Sequence, residues 1–195
     1  MFPFPIAAKP FVKMNEALKI EVTRGSMVEN SHLVNLQIVN TDGTCIVSHG
    51  DPERAVYPRS ACKLIQALPF VESGAPEAFG LDQRHLSFAC ASHSSEPEHL
   101  ALAQDWLQRL GYEDQTFECG GHAPMDPRTG IPTSDQNWPR RYNNCSGKHL
   151  GFLSTCKVKG WDPKGYIMPG HPVQQGILGV FEQVCGLELD DKPWA

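Results

Sequence analysis

Strand-forming and helix-forming patterns are segregated along this chain, and that segregation limits the folds open to it more than any other feature. Up to about residue 50 the apolar residues fall in short runs rich in Val, Leu and Ile, broken by Gly and Asp. Leu18–Arg24 reads as a strand, Gly25-Ser26 as a turn, residues 33–39 as a second strand, Asp42-Gly43 as a hairpin and residues 44–49 as a third strand. An antiparallel meander is predicted there. Beyond residue 57 the apolar residues recur at helical spacing instead, over residues 60–72, 82–89, Pro97–Leu110, 145–157 and Pro172–Cys185. Strands followed by helices, without βαβ alternation, predict an α+β fold.

The start signals are local chemistry. Pro58 precedes the first helix, Asp82 can cap the second, and Ser95-Glu96-Pro97-Glu98 offers a serine cap, an N-terminal proline and an acidic first turn to the third. Gly74, Gly111 and Gly186 stop their helices. Residues 114–144 hold seven Gly or Pro and little periodicity, and a loop of that length in a compact domain is usually functional.

The Ser60-Ala61-Cys62-Lys63 motif carries the chemistry. A serine and a lysine at i, i+3 share a helix face, and a buried lysine amine can take the proton of a nucleophilic hydroxyl. Twelve serines and nine lysines would give about half a copy of S-x-x-K by chance, so context must decide. Ser60 opens its helix, where the positive dipole end favours a developing oxyanion. The second copy, Ser154 to Lys157, falls late in its helix, where the lysine is a favourable C-terminal charge, and reads as structural.

A second hydroxyl is needed to move a proton toward a leaving amine, and Ala91-Ser92-His93-Ser94 supplies one, against the plainer reading of an interhelix turn. The K-T-G of β-lactamase-like sites is absent from the sequence, as are G-x-S-x-G, H-E-x-x-H and the phosphate-binding glycine motifs. In Asn143-Asn144-Cys145-Ser146-Gly147-Lys148-His149, residues 145, 148 and 149 share a helix face. Cys119, His122, Cys145 and His149 could form a C-x2-H…C-x3-H zinc site, with a buried inert Cys145 as the alternative.

Charge and composition narrow the ligand. A net charge of −5, with no basic run longer than Arg140-Arg141, argues against nucleic acid and anionic membranes, leaving small polar molecules. Residues 1–17 read as a disordered leader: the first ten have no basic start, and prolines interrupt the apolar residues. No stretch reaches the roughly 18 apolar residues of a membrane span. Seven scattered cysteines are expected to be reduced, and the cytoplasm is the expected location.

Taken in order, Glu21-Val22-Thr23-Arg24-Gly25, Pro58-Arg59-Ser60-Ala61-Cys62-Lys63, Gln66-Ala67-Leu68-Pro69, Cys90-Ala91-Ser92-His93-Ser94, Glu118-Cys119-Gly120 and the Asn143–His149 segment resemble the L-asparaginase II family of the Rhizobium etli inducible type, over roughly residues 18–190. The resemblance implies a serine β-lactamase or penicillin-binding-protein-like fold, an antiparallel sheet with helices, that hydrolyses L-asparagine to L-aspartate and ammonia. It implies Ser60 as nucleophile, Lys63 as base and Ser92 as the second serine, with Arg59, His93 and Asn144 against the substrate. Cys145 and Lys148 match two zinc ligands, which displaces His122 and His149. A homodimer is the expected assembly. Family members continue with an Asp-Gly-Cys segment and a further lysine, so residues 18–195 correspond to the N-terminal portion of the catalytic domain, incomplete at the C-terminus. Cys62 and Leu64 depart from the family's small residue and proline.

Two rival readings stand beside the amidohydrolase. One is a catalytically silent fragment or binding module that keeps half of the site. The other is a β-lactam-binding serine acyl enzyme.

Overall fold

The computed structural model describes residues 12–125, 137–186 and 188–189. The chain divides into two compact units, Met1–Tyr57 and Pro58–Ala195.

The first unit is built of strands. β2 (Leu18–Arg24) and β3 (Met27–Val34) form an antiparallel ribbon, turned at Gly25, whose φ of +60° suits a residue without Cβ. β4 (Leu36–Val39) and β5 (Cys45–His49) form a second antiparallel pair through the Asp42-Gly43 turn, and β1 (Val12–Met14) joins the free side of β5 in parallel, giving the order β1-β5-β4. The meander is therefore two sheets. They part at Asn35, whose Oδ1 accepts the Asp51 N–H at 3.1 Å and so turns the chain away from the ribbon. The strand expected over residues 33–39 is split at the same place, and its missed half, Met27–His32, belongs to the ribbon. β1 falls within the stretch read as a leader, and residues 1–11 lie outside the described ones.

The second unit is helical. Its elements are α1 (Lys63–Glu72), α2 (Ala75–Ala78), α3 (Gln83–Cys90), α4 (Pro97–Leu110), α5 (Ser146–Lys159) and α6 (Pro172–Cys185). α4 and α6 match their predicted spans, because each has proline in its first turn and a left-handed glycine (Gly111, Gly186) after its last. Asp82 caps α3 by accepting the Arg84 and His85 N–H groups. One cap differs from expectation: Glu96, not Ser95, holds the cap position of α4, and neither it nor Cys145, at the cap of α5, makes a side-chain cap bond. The four-residue α2 escaped prediction because a single turn carries too little pattern.

α5 is the axis of this unit. It is buried from Ser146 to Cys156, except at half-buried Lys148, and packs against α1, α2, α3 and α4. Phe70, Trp106, Leu107, Leu110, Leu150, Leu153 and Tyr166 fill the surrounding core, each fully buried apolar side chain contributing about 1.5–3 kcal/mol. Ser154, the serine of the second S-x-x-K, is spent within that core. It accepts Trp106 Nε1–H at 2.9 Å and donates to Leu150 O at 2.8 Å.

The start of α5 runs unusually close to the end of α3. A Cβ on Gly147 would stand 2.1 Å from Phe88 O. Only glycine permits that crossing, and it brings two sequence motifs, Cys90–Ser94 and Asn143–His149, side by side.

Candidate active site

Ser60 does not sit on the α-helix itself. Residues Arg59–Cys62 form a single 3-10 turn, entered by Arg59 at a left-handed φ of +51°, and α1 begins at Lys63. Ser95, at φ +60°, is the other described non-glycine residue in that region. These two strained residues flank the two serines expected to react, as strain at functional sites commonly does.

The hydrogen bonds link Lys63 to Ser60 through a third residue. Lys63, only 3% exposed, donates to Ala91 O at 2.5 Å and to Ser92 Oγ at 2.7 Å, and Ser92 Oγ donates to Ser60 Oγ at 3.1 Å. The order is therefore Lys63, Ser92, Ser60, so that Ser92 stands between the expected base and the expected nucleophile, where the sequence reading put it on the leaving-group side alone. Hydroxyl hydrogens rotate, and the same chain can run with its donors reversed. Both serines are exposed while the lysine stem is buried, which leaves the hydroxyls open to a small molecule.

Four further expected residues have definite places. Arg59 is exposed beside Ser60. Asn144 is half-buried, its N–H donated to His122 Nε2 at 2.8 Å and its Oδ1 3.4 Å from Cys145 Sγ. Cys145 N–H donates to Asn143 Oδ1 at 2.8 Å, and Lys148 Nζ lies 5.8 Å from the centre of the Phe152 ring. Lys148 and Lys63 face a common region. Burial foremost, then the charges of Lys148 and Lys63, hold His149 down at about pH 3.

Residues 20–195 match the family model of L-asparaginase II. The chain belongs to the L-asparaginase II family. Among curated proteins none matches. Family membership makes it an asparaginase-type hydrolase in general terms, acting on a small molecule, and no helix among its described residues is long and apolar enough to cross a membrane.

His93 is placed differently from expectation in this L-asparaginase II family member. The ring is 2% exposed, with Nε2 2.8 Å from Ser146 Oγ and Nδ1 accepting the Ser95 N–H at 3.1 Å. Both nitrogens are engaged inside the protein, so neither is offered to substrate. Its neighbours Ser95 and Ser146, both fully buried, were missed by sequence reasoning. The fold sets their sides: Ser92 is exposed, while His93 and Ser95 are buried.

The C-x2-H…C-x3-H arrangement is not assembled. His122 is taken by Asn144 N–H and Ala123 O, His149 Nδ1 is hydrogen-bonded to the Tyr166 hydroxyl at 2.9 Å, and burial pushes the Cys119 thiol up to about 12. Among the described residues no three or more His, Cys, Asp or Glu side chains gather where they could hold a metal ion. The pair Cys145 and Lys148 is two donors, short of the four that a zinc ion takes. An open depression of about 670 Å³ lies elsewhere, lined by Glu118, Cys119, Arg140, Asp162 and Lys164 among others, and none of Ser60, Lys63 or Ser92 borders it.

Proposed function

We propose that this L-asparaginase II family member hydrolyses L-asparagine to L-aspartate and ammonia through an ester on Ser60. The single observation that carries the reading is the hydrogen-bonded row Lys63, Ser92, Ser60, at 2.7 and 3.1 Å, which brings together two segments of the chain 29 residues apart. A β-lactamase-like fold is part of the same proposal, supported by a serine in the 3-10 turn that leads into α1, a helix packed against the buried α5.

Ser60 Oγ attacks the side-chain amide carbon. Its proton passes to Ser92 Oγ as the Ser92 proton passes to Lys63 Nζ, which must enter this step neutral. The developing oxyanion lies near the start of the 3-10 turn and α1, the end where backbone N–H groups favour negative charge. On collapse the carbon–nitrogen bond breaks, and the proton returns through Ser92 to the departing amine, which leaves as ammonia. Water then attacks the β-aspartyl ester with the same row taking and returning its proton, and L-aspartate is released. Arg59 and Asn144, beside the row, are proposed to hold the substrate's charged groups. Cys145 and Lys148 are proposed donors to zinc when it binds, where it would act as a Lewis acid near the substrate; two donors do not complete a site, and no step above depends on it.

Ammonia release by purified protein tests the reading. Ser60→Ala should release none above background, and Ser92→Ala should lose about 10²–10⁴-fold in kcat, the range of a positioned proton carrier. Equal rates for wild type and Ser60→Ala would remove the nucleophile. A Ser92→Ala variant with the wild-type rate, beside an inactive Ser60→Ala, would mean that Lys63 serves Ser60 directly.

A further inference from the structure

His93 follows Ser92 directly and is buried, yet its backbone N–H and both ring nitrogens are engaged. Its backbone N–H donates to Asn144 O at 3.1 Å. Its Nδ1 accepts from the Ser95 backbone N–H, and a backbone amide can only donate, so Nδ1 carries a lone pair and the ring proton is on Nε2. That proton points at Ser146 Oγ, 2.8 Å away on the first residue of α5. Ser146 is therefore an acceptor toward His93, and His93 is not its base.

Other bonds close the same seam. Ser95 Oγ donates to Tyr142 O at 2.7 Å, and Asn144 N–H is held from its far side by His122. The ring itself lies 4.8 Å from Phe88 and 5.1 Å from His99, centre to centre. Ser92 is exposed and His93 buried, so a His93 fixed inward holds its neighbour Ser92 outward, toward Lys63 and Ser60.

We propose that His93 is a positioning residue: neutral, with its proton on Nε2, it fastens the Ser92 segment to the start of α5 and so fixes Ser92 Oγ between Ser60 and Lys63. This rests on the reading of that row as the reacting groups. Protonation at Nδ1 would set a donor against the Ser95 N–H and open the seam. The groups facing the ring are His99 of α4, Lys63 of α1 and His122 of the following loop, none of them an anion. Burial first, then those cations and potential cations, push the ring down to about 4, in keeping with a neutral residue.

Two measurements on the full chain test the proposal. Long-range ¹⁵N–¹H spectra at pH 7 should show His93 protonated on Nε2 alone; an Nδ1–H tautomer or an imidazolium would overturn it. His93→Phe keeps the ring's bulk and removes both nitrogens, and a 1 Å displacement of Ser92 should cost kcat about 10²-fold with KM within about threefold. His93→Gln, which restores a donor at the reach of Nε2, should recover at least about tenfold of that loss. A folded His93→Phe with the wild-type kcat, or a folded His93→Gln no faster than His93→Phe, would overturn the proposal, and if His93→Phe fails to fold, the tautomer decides it. Phosphonylation of Ser60 by a fluorophosphonate, followed by intact mass, separates the two levels. A wild type that is labelled but releases no ammonia from asparagine ends the asparaginase reading, while slower labelling in the His93 variants still supports the positioning role. A wild type that is neither labelled nor active ends both.

Discussion

Two glycines on one helix should respond to the same substitution with opposite signs. Gly147 and Gly151 are one turn apart on α5. An alanine methyl at 147 would lie 2.1 Å from Phe88 O and 2.6 Å from Phe88 C, both main-chain atoms, where ordinary contacts begin near 3.5 Å. Backbone cannot rotate aside, so α3 and α5 must separate by about 1 Å. Overpacking of this kind costs about 1–3 kcal/mol, against at most about 1 kcal/mol gained from alanine's helix propensity. The net expectation for Gly147→Ala is a loss of about 1–2 kcal/mol. At Gly151 the nearest atom is Phe70 Cγ at 3.5 Å, an ordinary contact, and Gly151→Ala should gain about 0.5–1 kcal/mol. Thermal unfolding followed by far-ultraviolet circular dichroism should show the first variant melting about 5 °C lower and the second about 2 °C higher, at the usual few degrees per kcal/mol for this size. The displaced carbonyl of Phe88 accepts the Ala91 N–H at 3.1 Å, so Ser92 moves with it, and ammonia release should fall with stability at 147 and not at 151. A rise in melting temperature for both variants would refute the close crossing.

Other outcomes follow from the same structure. Stability should depend on pH through His93: its folded value, about 4, lies below the ordinary 6.5, so the unfolded chain binds the proton more readily. That contribution, roughly 3 kcal/mol at 1.36 kcal/mol per pH unit, is present in full above pH 6.5 and is lost as pH falls toward 4; buried His149 acts with the same sign. Urea midpoints between pH 4 and 8 check this, and a midpoint that rises on acidification would contradict it. Trp106→Phe removes the Nε1–H bond to Ser154 in a fully buried site and should cost about 2 kcal/mol in urea unfolding. A midpoint within error of the wild type would mean that the Trp106 N–H finds an equal partner in water.

Much of the architecture was written in local chemistry. The helices that end on a left-handed glycine and begin with proline, α4 and α6, were legible to the residue, because those signals act within one turn of the chain. Ser60, Lys63 and Ser92 were picked out together through motif order, and in the structure they lie in one hydrogen-bonded row. Three features were not legible. The division into two sheets at Asn35 depends on a hydrogen bond to Asp51, 16 residues on. The interposition of Ser92 between Lys63 and Ser60 depends on where α3 delivers the chain, which no i, i+3 rule can contain. The inward placement of His93 depends on Ser146, 53 residues away, and a histidine beside a serine expected to react reads as a substrate contact until burial is known.

The sequence by itself determined the order of elements, most of the helix ends and the family, since each rests on residues near one another in the chain or on motifs counted along it. Only the tertiary structure decided which atom the lysine reaches and what the histidine holds. Hydrogen bonds are decided over tenths of an ångström, and that distance is set by helices crossing at Gly147, not by spacing along the chain.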